Sequence, residues 1–188
     1  MISLYKSVMM TPKILAKDKC RVAVFASLII VSAQTNIPLP HGVPFTLQTM
    51  AIMLSGMILG SKKGVLAVLI YVSLGAIGLP VFAGLRGGLS VIAGPTGGFI
   101  ISFPLMALTA GIGASLSKKG KKLLLLMCLI LAVFINYLCG MLWFSYVLNV
   151  ELQAALIMVV LPFVLGSILE IILIMTITPF VKRAFMHV

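Results

Sequence analysis

Glu170 stands inside the apolar run from Leu152 to Phe180, and Arg86 is the one basic residue between Lys63 and Lys118. An ionisable side chain at the centre of a bilayer costs about 3 kcal/mol or more unless it is paired, so Glu170 is a functional candidate by its position alone. Ser167 lies three residues earlier, on the same face if the segment is helical. Arg86 is flanked by Gly84, Gly87 and Gly88, which leave room for a ligand to approach, and a guanidinium holds a carboxylate through two parallel hydrogen bonds. The plainer readings are a structural hydrogen bond for Glu170 and a solvated charge for Arg86. Gln48, Asn136 and Tyr137 are polar positions in apolar surroundings, where bonding between helices is the default. Gln48 and Tyr137 rise above that default because their helices flank the expected cavity.

Other chemistry is not encoded. No serine, cysteine and histidine combination suggests a nucleophile with its base, and no carboxylate pair suggests acid–base work. Cys20, Cys128 and Cys139 form no disulfide framework, and His41 and His187 stand at opposite ends of the chain, so no metal site and no cofactor are expected. The glycine-rich stretch lacks the GxxxxGK[ST] spacing of a phosphate-binding loop.

The elements that must position these residues are membrane helices. Hydrophobic residues make up 62% of the 188 and charged residues only 9%, against about 25% charged in a soluble domain. A spanning helix needs about 20 largely apolar residues, and the apolar runs predict six spans in one membrane domain covering 1–188: 22–37, 45–59, 65–79, 99–116, 123–148 and 162–179. The basic head and first apolar run resemble a secretory signal, but an uncleaved first helix is expected instead, because everything after that run is again membrane-like. The second and third spans are short, a feature that marks binding sites in transporters. Between Pro80 and Gly98 stand six glycines and two prolines, too many for a regular helix, so this stretch is expected as an external loop folded back on the bundle. Pro162 is expected to split the last apolar region.

The net charge of +11 is not a nucleic-acid footprint, because the basic residues come in short clusters between apolar runs. Lys6, Lys13, Lys17, Lys19 and Arg21, then Lys62-Lys63, then Lys118, Lys119, Lys121 and Lys122, and finally Lys182-Arg183 all fall on one side of the six spans. That side holds thirteen of the fourteen basic residues and Arg86 lies opposite. By the positive-inside rule it faces the cytoplasm, which predicts a multi-pass protein of a bacterial cytoplasmic membrane with both termini inside.

Three strings carry a family resemblance: IPLPHGVPFTLQTM at 37–50, LGAIGLPVFAGLRGGLSVIAGPTGGF at 74–99, and Tyr137 to Trp143. Together they resemble the BioY family, the substrate-binding components of energy-coupling factor biotin transporters, from about Ala23 to Leu173. The resemblance implies an all-α integral membrane protein: a six-helix bundle that captures biotin on its outer face. It implies partnership, within the lipid bilayer, with a transmembrane scaffold subunit and two ABC-type ATPases, and no ATPase of its own. A small-residue pattern on the first helix would dock on the scaffold; Ala23 and Ser27 match it imperfectly. The expected substrate-binding set is Gln48, Arg86, Gly87, Gly88, Tyr137, Ser167 and Glu170. Arg86 would hold the carboxylate tail, and Ser167 and Glu170 would accept from the ureido N–H groups. One departure stands out. The family's last helix opens PF-x-x-G-D-x-x-K, whereas this chain has Ser167 and Glu170 at the Asp and Lys positions. The rival readings are a binding component for another small vitamin, an intramembrane enzyme using Glu170 as a base, and a purely structural membrane protein.

Overall fold

The structure, a computed structural model, describes residues 16–38, 42–117 and 122–186. Lys6, Lys13, His41, the lysine cluster as far as Lys121, and His187 lie outside the described residues. Eight helices follow in order among those described: α1 Ala16–Ala33, α2 Gln48–Leu59, α3 Ser61–Ala76, α4 Leu89–Ala93, α5 Gly97–Ser117, α6 Lys122–Leu148, α7 Leu152–Val159 and α8 Leu161–Met186. Three are long and apolar enough to cross a membrane, within α5, α6 and α8. The other three expected spans correspond to shorter or more charged helices. At about 1.5 Å per residue, the 12 residues of α2 rise only about 18 Å.

Several helices begin elsewhere than the apolar runs indicate. α1 starts six residues before Val22 and takes in Lys17, Asp18, Lys19 and Arg21, because Ala, Lys and Arg favour a helix whether or not it is apolar. Asp18 then reaches Lys63 of α3 at 2.7 Å. α2 starts at Gln48 rather than at Phe45, because Phe45 is extended and exchanges backbone hydrogen bonds with Ile37, both at 2.9 Å. Gly60, with φ +81°, turns the chain directly into α3, so Lys62 and Lys63 lie in its first turn rather than in a loop. α8 runs through Pro179, where the last span was expected to stop. Pro179 removes one N–H from the ladder without ending the helix, as happens where tertiary packing holds both halves.

α5 forms the centre, with Met106, Ala107 and Ala110 fully buried. α6 covers one side of it, and α2 and α3 the other. Close approach depends on small residues. A Cβ on Gly56 would collide with the Ala107 carbonyl, one on Gly64 with the backbone of Gly56, and one on Gly111 with Ser61. Where lipid removes the hydrophobic drive between helices, such close backbone packing is what holds them. The outward faces carry large apolar side chains, among them Leu123, Met127, Ile130 and Phe134 of α6 and Leu165, Ile168, Leu169 and Ile172 of α8. Water would penalise that surface, and hydrocarbon does not.

Candidate functional site

An open cavity of about 710 Å³, counting the open space at its mouth, lies where α2, α3, α5, α6 and α8 converge beneath the loop after α3. Its walls are largely aromatic. Phe45 stacks with Phe163, centroids 6.2 Å apart, and Tyr71 meets Phe82 edge to face at 5.6 Å. Phe99, Ile100 and Phe103 complete the inner wall from α5.

The loop owes its shape to contacts with α1 and α3. Phe82 N–H donates to Arg86 O at 2.9 Å, closing a tight turn whose tip, Gly84 and Leu85, has positive φ. Gln34, just past the end of α1, grips this turn. Its amide N–H groups lie 3.3 Å from the carbonyls of Val81 and Phe82, and its Oε1 accepts from Leu85 N–H at 3.1 Å. Phe82 presses on Gly75, where a Cβ would meet its ring, and Gly88 N–H donates to Gly75 O at 2.7 Å. Trp143 of α6 donates to Gly94 O at 3.0 Å and ties down the far end of the segment.

Of the residues expected to bind substrate, Gln48, Arg86, Tyr137 and Ser167 border the cavity. Gly87 and Gly88 do not. A Cβ on Gly87 would overlap the Leu79 carbonyl, and Gly88 is bonded to Gly75, so both seat the loop against the end of α3. Glu170 also falls outside the lining: it is 2% exposed and sits behind Thr49, whose hydroxyl donates to Oε2 at 2.6 Å. One helical turn from Glu170, Ser167 shares a 2.6 Å hydrogen bond with Tyr137. Arg86 is exposed at the mouth, its Nε–H donating to Ala83 O at 3.2 Å. It borders both the main cavity and a shallower recess formed by Gly42, Ser90, Gly94 and Pro95. No ion pair joins Arg86 to Glu170 among the described residues.

Residue types alone did not single out Thr49, Tyr71 or Gln34. Tyr71 is fully buried, lines the cavity, and its hydroxyl has no partner among the described residues. Its aromatic type in an apolar run reads as core. Thr49 adjoins Gln48 in the first turn of α2, which was the available signal. Gln34 works through a loop some fifty residues away, and nothing local announces that. Among the described residues no group of three or more His, Cys, Asp or Glu is placed to hold a metal ion.

Fold and cavity together define a helical membrane protein built around a small-molecule cleft. The model of the BioY family matches residues 6–187, and the chain belongs to that family. A relative from Pyrococcus horikoshii, named a probable biotin transporter BioY, is 42% identical over 147 residues, 78% of this chain and 85% of that protein. One from Rhodobacter capsulatus, named a biotin transporter BioY, is 40% identical over 149 residues, covering 70% of this chain and 71% of the relative. A crystal structure of the S-component for biotin from an ECF-type ABC transporter superposes with a TM-score of 0.82 at 30% identity, covering 93% of this chain and 95% of that one.

The grip of Gln34 on the loop yields a direct expectation. A net hydrogen bond contributes about 1 kcal/mol, so Gln34→Leu should speed hydrogen exchange at the Leu85 amide about fivefold or more while leaving α5 amides unchanged. Unaltered exchange at Leu85 would show that the turn holds its shape without Gln34.

Proposed function

We propose that this chain captures biotin in the cavity beneath the loop and delivers it as the substrate-binding subunit of an energy-coupling factor transporter. The observation that carries this reading is the cavity itself: paired aromatic walls, polar groups gathered inside, and one exposed guanidinium at the mouth. Biotin has a flat ureido ring, an apolar thiophane and a carboxylate tail. The aromatic pairs suit the ring body and Arg86 suits the tail. Family membership and the relatives named as biotin transporters support the same ligand. The enzyme reading loses its footing, because Glu170 does not border the cavity and one of its oxygens is engaged by Thr49.

Binding stabilises a folded protein by mass action, by about 2.7 kcal/mol at a hundredfold excess over Kd. Micromolar biotin should therefore raise the melting temperature of the purified protein. Losing one partner of a buried charged hydrogen bond costs about 2–5 kcal/mol; for the exposed Arg86 the lower end applies. Arg86→Ala should weaken biotin by about tenfold or more and erase any preference for biotin over its neutral amide, biotinamide. An untouched preference would remove Arg86 from the carboxylate role. Stabilisation by a different vitamin and not by biotin would replace the ligand.

In the membrane, α1, α2, α3, α5, α6 and α8 serve as the six spans, with flanking turns making up the length that α2 and α3 lack. The loop between α3 and α5 is external, and both termini lie in the cytoplasm. The thirteen-to-one division of basic residues supports this orientation, and the aromatic pair Trp143 and Tyr146 suits an interface at the loop end of α6, whichever side it faces. In a cysteine-free background, Ser90→Cys should react with an impermeant maleimide added to intact cells. Labelling only after lysis would invert the topology.

The transmembrane scaffold subunit docks on α1, and the ATPases are reached through it. Ala16, Cys20, Ala23 and Ser27 present small side chains on an exposed face of that helix, which supports close contact with another helix. Ala23→Leu with Ser27→Leu should abolish co-purification with the scaffold while leaving biotin binding within about twofold, since neither residue lies near the cavity. Equal loss of both would make this face internal packing.

A further inference from the structure

Hydroxyl and amide groups present either a donor or an acceptor to a ligand, and which one depends on where their protons are already engaged. A threonine hydroxyl has one proton. That of Thr49 goes to Glu170 Oε2 at 2.6 Å, to a carboxylate oxygen that accepts. Thr49 borders the cavity and Glu170 does not. What Thr49 can still offer from its hydroxyl is therefore an oxygen lone pair. Asn136 shows the same pattern by another route. Both of its amide N–H groups are engaged inside the bundle, with Phe99 O at 3.1 Å and Ser102 Oγ at 2.7 Å. Asn136 also borders the cavity, and its remaining polar atom is the acceptor Oδ1.

The geometry points to Glu170 as a positioning residue that acts on the ligand through Thr49. By taking the Thr49 proton it fixes that hydroxyl as an acceptor, which with Asn136 Oδ1 recognises a ligand edge bearing two N–H donors. The inference rests on biotin being the ligand, since a ureido ring has such an edge. It differs from direct contact by Glu170, which does not border the cavity.

The test compares biotin with its two isomers methylated on one ureido nitrogen or the other, by calorimetry on the purified full-length protein. In the wild type each methylation should weaken binding by about tenfold or more, the order of one hydrogen bond to a group left unpaired. Thr49→Val should erase the penalty for one isomer and leave the other intact. Glu170→Met should erase the penalty for that same isomer, and adding it to Thr49→Val should change nothing further. Should Glu170→Met fail to give folded protein, Thr49→Ser decides: its hydroxyl keeps the single proton that Glu170 Oε2 accepts, so a retained penalty supports the assignment and a lost one overturns it. The inference also fails if both penalties survive Thr49→Val, or if Glu170→Met weakens all three ligands alike, which is what a purely structural role would do. Absence of biotin binding by the wild type is a separate result. It would remove the proposed ligand, and this inference with it.

Discussion

A polar group buried in a lipid-embedded bundle must find its partner inside the protein, because hydrocarbon supplies none. Most polar side chains of one region obey that constraint, while Glu170 Oε1 is buried with no hydrogen-bond partner among the described residues. Thr49 is bonded to Glu170, Tyr137 to Ser167, and Asn136 to Phe99 and Ser102, linking α2 to α8, α6 to α8, and α6 to α5. The three sets surround one cavity. The same bonds therefore join the helices and leave particular atoms over for a ligand. The Tyr71 hydroxyl, buried with no partner among the described residues, is the cost of keeping the cavity open, since an unpaired buried hydroxyl is unfavourable by about 1–3 kcal/mol until something fills the space.

Packing density separates the two ends of α2. Toward its C-terminus, Gly56 lets the backbones of α3 and α5 come into direct contact, with Gly64 and Gly111 completing the approach. At its N-terminus, Gln48 and Thr49 face large rings instead of glycines. Small residues draw the helices together at one end, and Phe45, Tyr71, Phe99 and Phe103 hold them apart at the other. The result is a wedge whose open end is roofed by the loop, and the roof is held by Gln34, Gly75 and Trp143 rather than by an apolar core of its own.

How legible these features were in the sequence depended on whether their cause was local. α5 and α6 fall within two residues of the runs 99–116 and 123–148, because glycines and lysines mark their ends sharply. α1 and α3 begin earlier than expected, because a lysine in the first turn of a helix is indistinguishable by composition from one in a loop. Phe45 reads as the start of a span until its pairing with Ile37 is seen. In the site, Gln48, Arg86, Tyr137 and Ser167 were legible as polar positions in apolar surroundings. Gly87 was legible as a position that makes room, but absence of a side chain makes room equally for a ligand or for the Leu79 carbonyl that lies against it.

Glu170 shows how far a motif departure can be taken. The family resemblance implies a lysine at this position on the last helix, and a reversed charge in contact with a ligand would ordinarily mean a different ligand. Here the carboxylate is 2% exposed, does not border the cavity, and is bonded to Thr49, which does. A charge held back in this way changes the direction of a neighbour's hydrogen bond, without placing its own charge against the ligand. In the proposed reading the demand for a cation at an anionic tail then falls on Arg86, which is exposed at the mouth and, among the described residues, bonded only through Nε to a backbone carbonyl. Acceptors inside and a guanidinium at the rim impose an orientation on any ligand that carries N–H groups at one end and a carboxylate at the other: ring first, tail toward the mouth.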